Sequence, residues 1–97
     1  MSDFYDRRDV SSLSSFTDAA ALFDFKFEAD EQLIYNDSNK SAVEISFDGQ
    51  AVHGRLEPYG PSKTISWSGH LRKRAYVRKV PDADSAPLVV QVYATTR

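Results

Sequence analysis

Two histidines, His53 and His70, are the only imidazoles in the chain, and there is no cysteine. A metal site would need both histidines in one place together with a carboxylate, and neither an H-x-H nor an i, i+4 spacing arranges this. His53 falls on the polar side of an alternating run and His70 follows a glycine, so both read as surface residues. Ser66-Trp67-Ser68-Gly69-His70 sets hydroxyls near an imidazole. It lacks the G-x-S-x-G elbow of a serine hydrolase, and successive side chains of a strand point to opposite sides. Gly60-Pro61-Ser62-Lys63-Thr64 resembles the end of a phosphate-binding loop, but Pro61 separates the glycine from the lysine and a strand follows instead of a helix. Asp82-Ala83-Asp84-Ser85 begins with calcium-loop spacing and lacks the later glycine and closing glutamate. The sequence therefore predicts no catalytic residue, no metal ligand and no cofactor.

The remaining chemistry is charge. Residues 1–50 carry eleven acidic and four basic side chains, a net of −7, whereas residues 51–97 carry three acidic and eight basic ones, a net of +5. Five of the late cations fall within one short stretch: Arg72, Lys73, Arg74, Arg78 and Lys79. With Tyr76 among them they form the candidate partner-binding strip, a docking surface for acidic neighbours or for a polyanion. Trp67 and Tyr76 among arginines could also stack single-stranded bases over a positive groove. The acidic pI of 5.6 opposes that second use.

These residues need elements to position them, and the dominant pattern is period-two alternation. Phe23, Phe25 and Phe27 alternate with Asp24, Lys26 and Glu28, which predicts a strand with one buried face. Gln32 to Tyr35 predicts a second, closed by the turn Asn36-Asp37-Ser38-Asn39. Val43, Ile45 and Phe47 lead into Asp48-Gly49 and then Val52, Gly54 and Leu56, which predicts a hairpin with a two-residue type I′ turn. Pro58 to Ser62 breaks the chain. Ile65 and Trp67 lead to Ser68-Gly69, a second predicted tight turn, and His70 to Val80 reads as a long strand. Pro81 to Pro87 is an acidic loop, and Leu88 to Ala94 a final apolar strand. Ser15-Phe16-Thr17-Asp18 has the form of a capping box before a short helical turn over Asp18 to Leu22.

Ninety-seven residues with 41 % apolar content and twelve aromatic side chains suffice for one core. The start lacks the apolar run of a signal peptide, and nothing approaches the roughly 18 apolar residues of a membrane helix. The fold expected is all-β: a single small antiparallel barrel or sandwich of six to seven strands, with at most one short N-terminal helical turn. Residues 1–14 are expected to be a flexible arm and residues 15–97 a single β-domain. A cytoplasmic protein is expected, or a virion protein if it assembles into one.

The segment from Ala42 to Pro58 resembles an early hairpin of small bacteriophage head–tail joining proteins, the head-closure or stopper class. It offers apolar alternation, a turn glycine at Gly49, and a second glycine, Gly54, before Glu57. Ala75 to Asp82, with Leu88 to Val90, is similar to their closing hairpin. The chain departs from that class in its middle region, compressed to about a dozen residues around Pro58 to Ser68. The resemblance implies a non-enzymatic ring component that seals packaged DNA or bridges head and tail. Its partners would be other protein subunits in a homo- or hetero-oligomeric ring, with nucleic acid the less favoured partner and no membrane.

Two other classes compete. A small inhibitor or adaptor of one host enzyme would use the acids of the first half: Asp24, Glu28, Asp30, Glu31, Asp37, Glu44 and Asp48. A single-strand-binding barrel would use Trp67 and Tyr76.

Overall fold

A computed structural model describes residues 2–38, 41–80 and 87–96. It contains six strands: β1 (Ser2–Asp9), β2 (Leu22–Asn36), β3 (Val43–Ser46), β4 (Gly54–Leu56), β5 (Thr64–Lys79) and β6 (Val89–Thr96). They form one antiparallel sheet in the order β1-β6-β2-β5-β3-β4. The chain is all-β, as its alternation predicts, and β1 and β4 remain as edges because the sheet does not close into a barrel.

The predicted arm is instead part of the fold. Ser2 to Asp9 pair with Thr96 to Val89 along the whole of β6, and Val10 and Leu13 enter the core just beyond. An edge strand with one inward aromatic, Phe4, carries a weak hydrophobic signal, and its order comes from the neighbouring strand's hydrogen-bonding row.

The two predicted strands within residues 23–35 are one long strand, β2, and Ser68-Gly69 is no hairpin turn but an interior point of β5. Both strands are irregular at the same level. Asp24 pairs with Arg74, Ala29 with Arg72, and Glu31 with Ser68, so β2 carries extra residues before Ala29 and β5 carries them around Gly69 (φ 88°). Buried positions on β2 are accordingly odd-numbered through Ala29 and even-numbered from Gln32 to Asn36. Such bulges sharpen the local twist and bend a sheet. Here the sheet folds over, and the Phe4 ring of β1 lies 5.1 Å from the Phe25 ring of β2.

The core between the folded halves contains Phe23, Phe25, Ile34, Val43, Ile45, Leu56, Ala75, Val77, Val90 and Val92. Each large side chain buried there contributes about 1.5–3 kcal/mol. Only one short 3-10 turn, Ala19–Ala21, occupies the predicted helical region. The capping residues work as predicted in part: Asp18 Oδ2 accepts the Ser15 amide at 3.2 Å, while the Ser15 hydroxyl accepts from Thr17. A second 3-10 turn, Gly60–Lys63, fills the proline-bounded break.

The β3–β4 hairpin exists, but its turn differs from the predicted one. Val43 pairs with Leu56 and Ile45 with Gly54, which leaves residues 47–53 as a loop instead of a two-residue turn at Asp48-Gly49. Side chains have taken over the backbone groups. Asp48 Oδ1 accepts from the amides of Gln50 (2.8 Å) and Ala51 (3.0 Å), and Ser46 Oγ accepts from Gly49 (2.9 Å). His53 Nδ1 accepts the Phe47 amide at 3.0 Å. Asx-type bonding of this kind competes with ladder pairing.

Candidate interaction face

The six residues of the predicted basic strip do not form one surface. Arg72 points inward at the bulge. Its Nη1 donates to Gln32 Oε1 at 3.0 Å and its guanidinium lies 4.0 Å from the Phe47 ring centre. Desolvation pulls its pKa below the usual arginine value. Phe47 in turn meets Trp67 edge-on at 4.9 Å. Arg78 donates from Nε to Glu44 Oε1 at 2.9 Å and lies 4.1 Å from the Phe16 ring centre. Tyr76 packs beside Gly49, lining a recess with Phe16 and Leu22. Lys73 and Arg74 are exposed, and Lys79 is half-buried.

Of the residues that would stack or flank bases, Trp67, Arg72 and Arg78 are thus engaged within the fold, and Arg74 stays exposed. His53 serves the hairpin loop and His70 is exposed on β5. Ser66 and Ser68 are exposed on β5, and Lys63 sits 5.4 Å from the Tyr35 ring centre. The acidic motif at Asp82–Ser85 lies outside the described residues. No cluster of potential metal ligands occurs among the described residues.

A broad depression lies elsewhere, on the outer face of β1, β6, β2 and β5. Register places Tyr5, Tyr93, Leu33 and Ser66 in one row across these four strands, with Asp3, Thr95, Glu31 and Ser68 in the next. These rows line a trough of about 780 Å³. Tyr5, Leu33 and Tyr93 are 53 %, 37 % and 41 % exposed, which makes this row an apolar patch on a solvent-facing sheet surface. Leu33 and Tyr93 also border Tyr35 in an adjoining hollow.

The patch is held by a polar network. The Tyr5 and Tyr93 rings are 4.7 Å apart, and both hydroxyls donate to Gln91 Oε1, at 3.1 and 2.9 Å. Gln91 Nε2 donates to Asp37 Oδ2 at 3.0 Å, and Arg7 reaches the same oxygen at 3.4 Å. At the other end the Thr95 hydroxyl donates to Asp3 Oδ1 at 2.8 Å. The Tyr93 phenol is pushed above its usual pKa by desolvation first, then by the neighbouring Tyr5 and by the Asp37 carboxylate. Rings fixed in this way lose little freedom when a partner covers them, which favours binding.

Sequence reading missed this face because Tyr5, Leu33 and Tyr93 are far apart in the chain. One signal was legible: Val90, Val92 and Ala94 alternate with Gln91 and Tyr93, which sends a tyrosine outward. Compared with known proteins, the chain matches no family model and no curated sequence.

Proposed function

We propose that the protein is a non-enzymatic assembly module whose contact surface is the outer face built on Tyr5, Leu33, Tyr35 and Tyr93. The observation that carries this reading is the exposed row of Tyr5, Tyr93 and Leu33 lining the trough, its two rings held by Gln91. Aromatic side chains are enriched among the residues that dominate protein–protein binding energy. The resemblance of residues 42–58 and 75–90 to head–tail joining proteins gives the finer form of the proposal, a virion component that works by contact with other subunits. In that form the basic strip is a secondary surface, reduced to Lys73, Arg74 and Lys79.

The test compares two variants for capture of portal, capsid or tail subunits from a native lysate treated with nuclease. Leu33→Ser with Tyr93→Ser should abolish capture while circular dichroism stays unchanged. Lys73→Ser with Arg74→Ser should retain it. The opposite pattern would return the function to the basic strip, and capture of a single host enzyme would favour an inhibitor.

A further inference from the structure

The edge strand β1 has β6 on one side and no other described strand on the other. An open edge is a template for pairing, and charged residues on it decide which pairings are allowed. The charges of Ser2–Asp9 are arranged with a symmetry that favours one partner. We propose that two copies of this chain pair antiparallel through β1, about a two-fold axis at Tyr5. The proposal rests on the assembly reading and names one of its partners, a second copy.

Register decides where the axis lies. Directly opposed residues of an antiparallel pair lie on the same face, and a two-fold axis perpendicular to the sheet preserves faces, so the axis must run midway between two copies of one residue. Four centres, Phe4 to Arg7, oppose five or more residues of each strand. Centring on Asp6 sets Asp6 on its own copy and Asp3 on Asp9 at both ends, all like charges. Centring on Arg7 sets arginine on arginine, and the Asp6–Arg8 pairs it also opposes are already made within each copy. Centring on Phe4 leaves Arg7 and Arg8 opposite no carboxylate. Centring on Tyr5 sets Asp3 opposite Arg7 at both ends, Tyr5 opposite Tyr5, and Phe4 opposite Asp6, with no like-charge pair.

The exposures agree with this arrangement. Asp3, Tyr5 and Arg7 share the outer face and are all exposed. The inward charges Asp6 and Arg8 pair with each other, and Arg8 Nη1 also donates to the carbonyls of Ala20 and Leu22, both at 2.7 Å. They therefore bring no unpaired charge to the new seam. Pairing would join the two aromatic rows into one, running from Leu33 through Tyr93 and Tyr5 into the second copy.

The absence of cysteine allows a direct test. Tyr5→Cys should form an intermolecular disulfide rapidly under mild oxidation, because the two sulfur-bearing positions face each other across the axis. Tyr93→Cys, on the same face but one strand removed, should not. Light scattering over a concentration series up to about 1 mM should show a monomer–dimer equilibrium. Arg7→Glu should weaken it about tenfold, by opposing carboxylates at both ends. Asp3→Arg combined with Arg7→Asp should restore it. A chain that stays monomeric throughout, a dimer indifferent to Arg7→Glu, or equal crosslinking at Tyr93→Cys would each overturn the proposal. The Leu33 and Tyr93 capture experiment judges the wider assembly reading separately, since it scores other subunits.

Discussion

Arg78 on β5 donates to Glu44 on β3 at 2.9 Å, and the two residues are directly opposed in the ladder. This contact ties the basic half of the chain to the acidic half. Arg74 is likewise opposed to Asp24, and Arg55 to Glu44. The sheet order places β5 between β2 and β3, so charges segregated along the sequence interleave in space. A bipolar chain thus folds into a sheet with complementary cross-strand pairs rather than into a molecule with one basic side.

Removing the acceptor should expose what this contact is worth. The Arg78 and Glu44 side chains are 27 % and 18 % exposed, so the pair is partly desolvated and still reached by water. Glu44→Ala should lower unfolding free energy by about 1–2 kcal/mol, measured by urea denaturation. Arg78→Lys should cost a similar amount, because a lysine cannot both stack on Phe16 and direct a planar donor at Glu44. A shift within experimental error for both variants would make the pair incidental.

Gly54 marks a second constraint, this one steric. A Cβ there would stand 3.0 Å from Trp67 Cζ2 and 3.6 Å from Ile65 Cδ1. The indole also meets the Phe47 ring edge-on, with 4.9 Å between ring centres. Gly54→Ala should therefore destabilise by about 1–3 kcal/mol despite alanine's lower entropy cost. It should also shift the emission of the single tryptophan. Unchanged emission together with raised stability would show that the ring yields freely.

The strands were legible where alternation was long and one face was buried, as in Phe23–Phe27, Val43–Ile45 and Ala75–Val77. Their lengths were not, because the bulges at Ala29–Glu31 and Gly69 look locally like ends. Ser68-Gly69 carries the same turn signal whether the chain reverses or merely kinks, and only pairing with β2 decides. Strand β1 escaped notice because its partner β6 lies about ninety residues away. The basic strip was legible as composition, but the inward turn of Arg72 depends on the bulge, and the neutralisation of Arg78 depends on β3 lying alongside.

Two carboxylates set an acid limit on stability. Asp48 lies below its usual value of 3.8 mainly through the Gln50 and Ala51 amides and the Ser46 hydroxyl. Asp9 is lowered chiefly by the side chain and amide of Ser11. Unfolded, each takes up a proton near 3.8; folded, each resists until a lower pH. The unfolded state binds more protons in that interval, so the stabilisation is present above pH 3.8 and is lost as pH falls through the folded values. Urea midpoints should decline across this window, and Asp48→Asn with Asp9→Asn should flatten the decline. An identical slope in wild type and double variant would assign the acid sensitivity to other carboxylates.

Lys26 supplies a prediction of opposite sign. It is the one non-glycine residue with positive φ, 70°, among the described residues, and its amide donates to Asp24 Oδ1 at 3.0 Å. The strand leaves its ladder with β5 at this level, between Asp24 and Ala29. A left-handed backbone brings Cβ close to the following carbonyl and costs about 1–2 kcal/mol in any residue but glycine. The lysine side chain gives little back. It is 82 % exposed, and its contact with Asp24 at 3.7 Å is a surface ion pair. Glycine would remove the strain and keep the amide that bonds Asp24, at the expense of greater freedom in the unfolded chain. Lys26→Gly should therefore raise unfolding free energy by about 0.5–1 kcal/mol. Lys26→Val should lower it, because a branched Cβ deepens the clash. Thermal melts of the two variants separate backbone strain from charge loss, since both remove the same ammonium. If both shift in the same direction by the same amount, the lysine's charge rather than its φ governs this position.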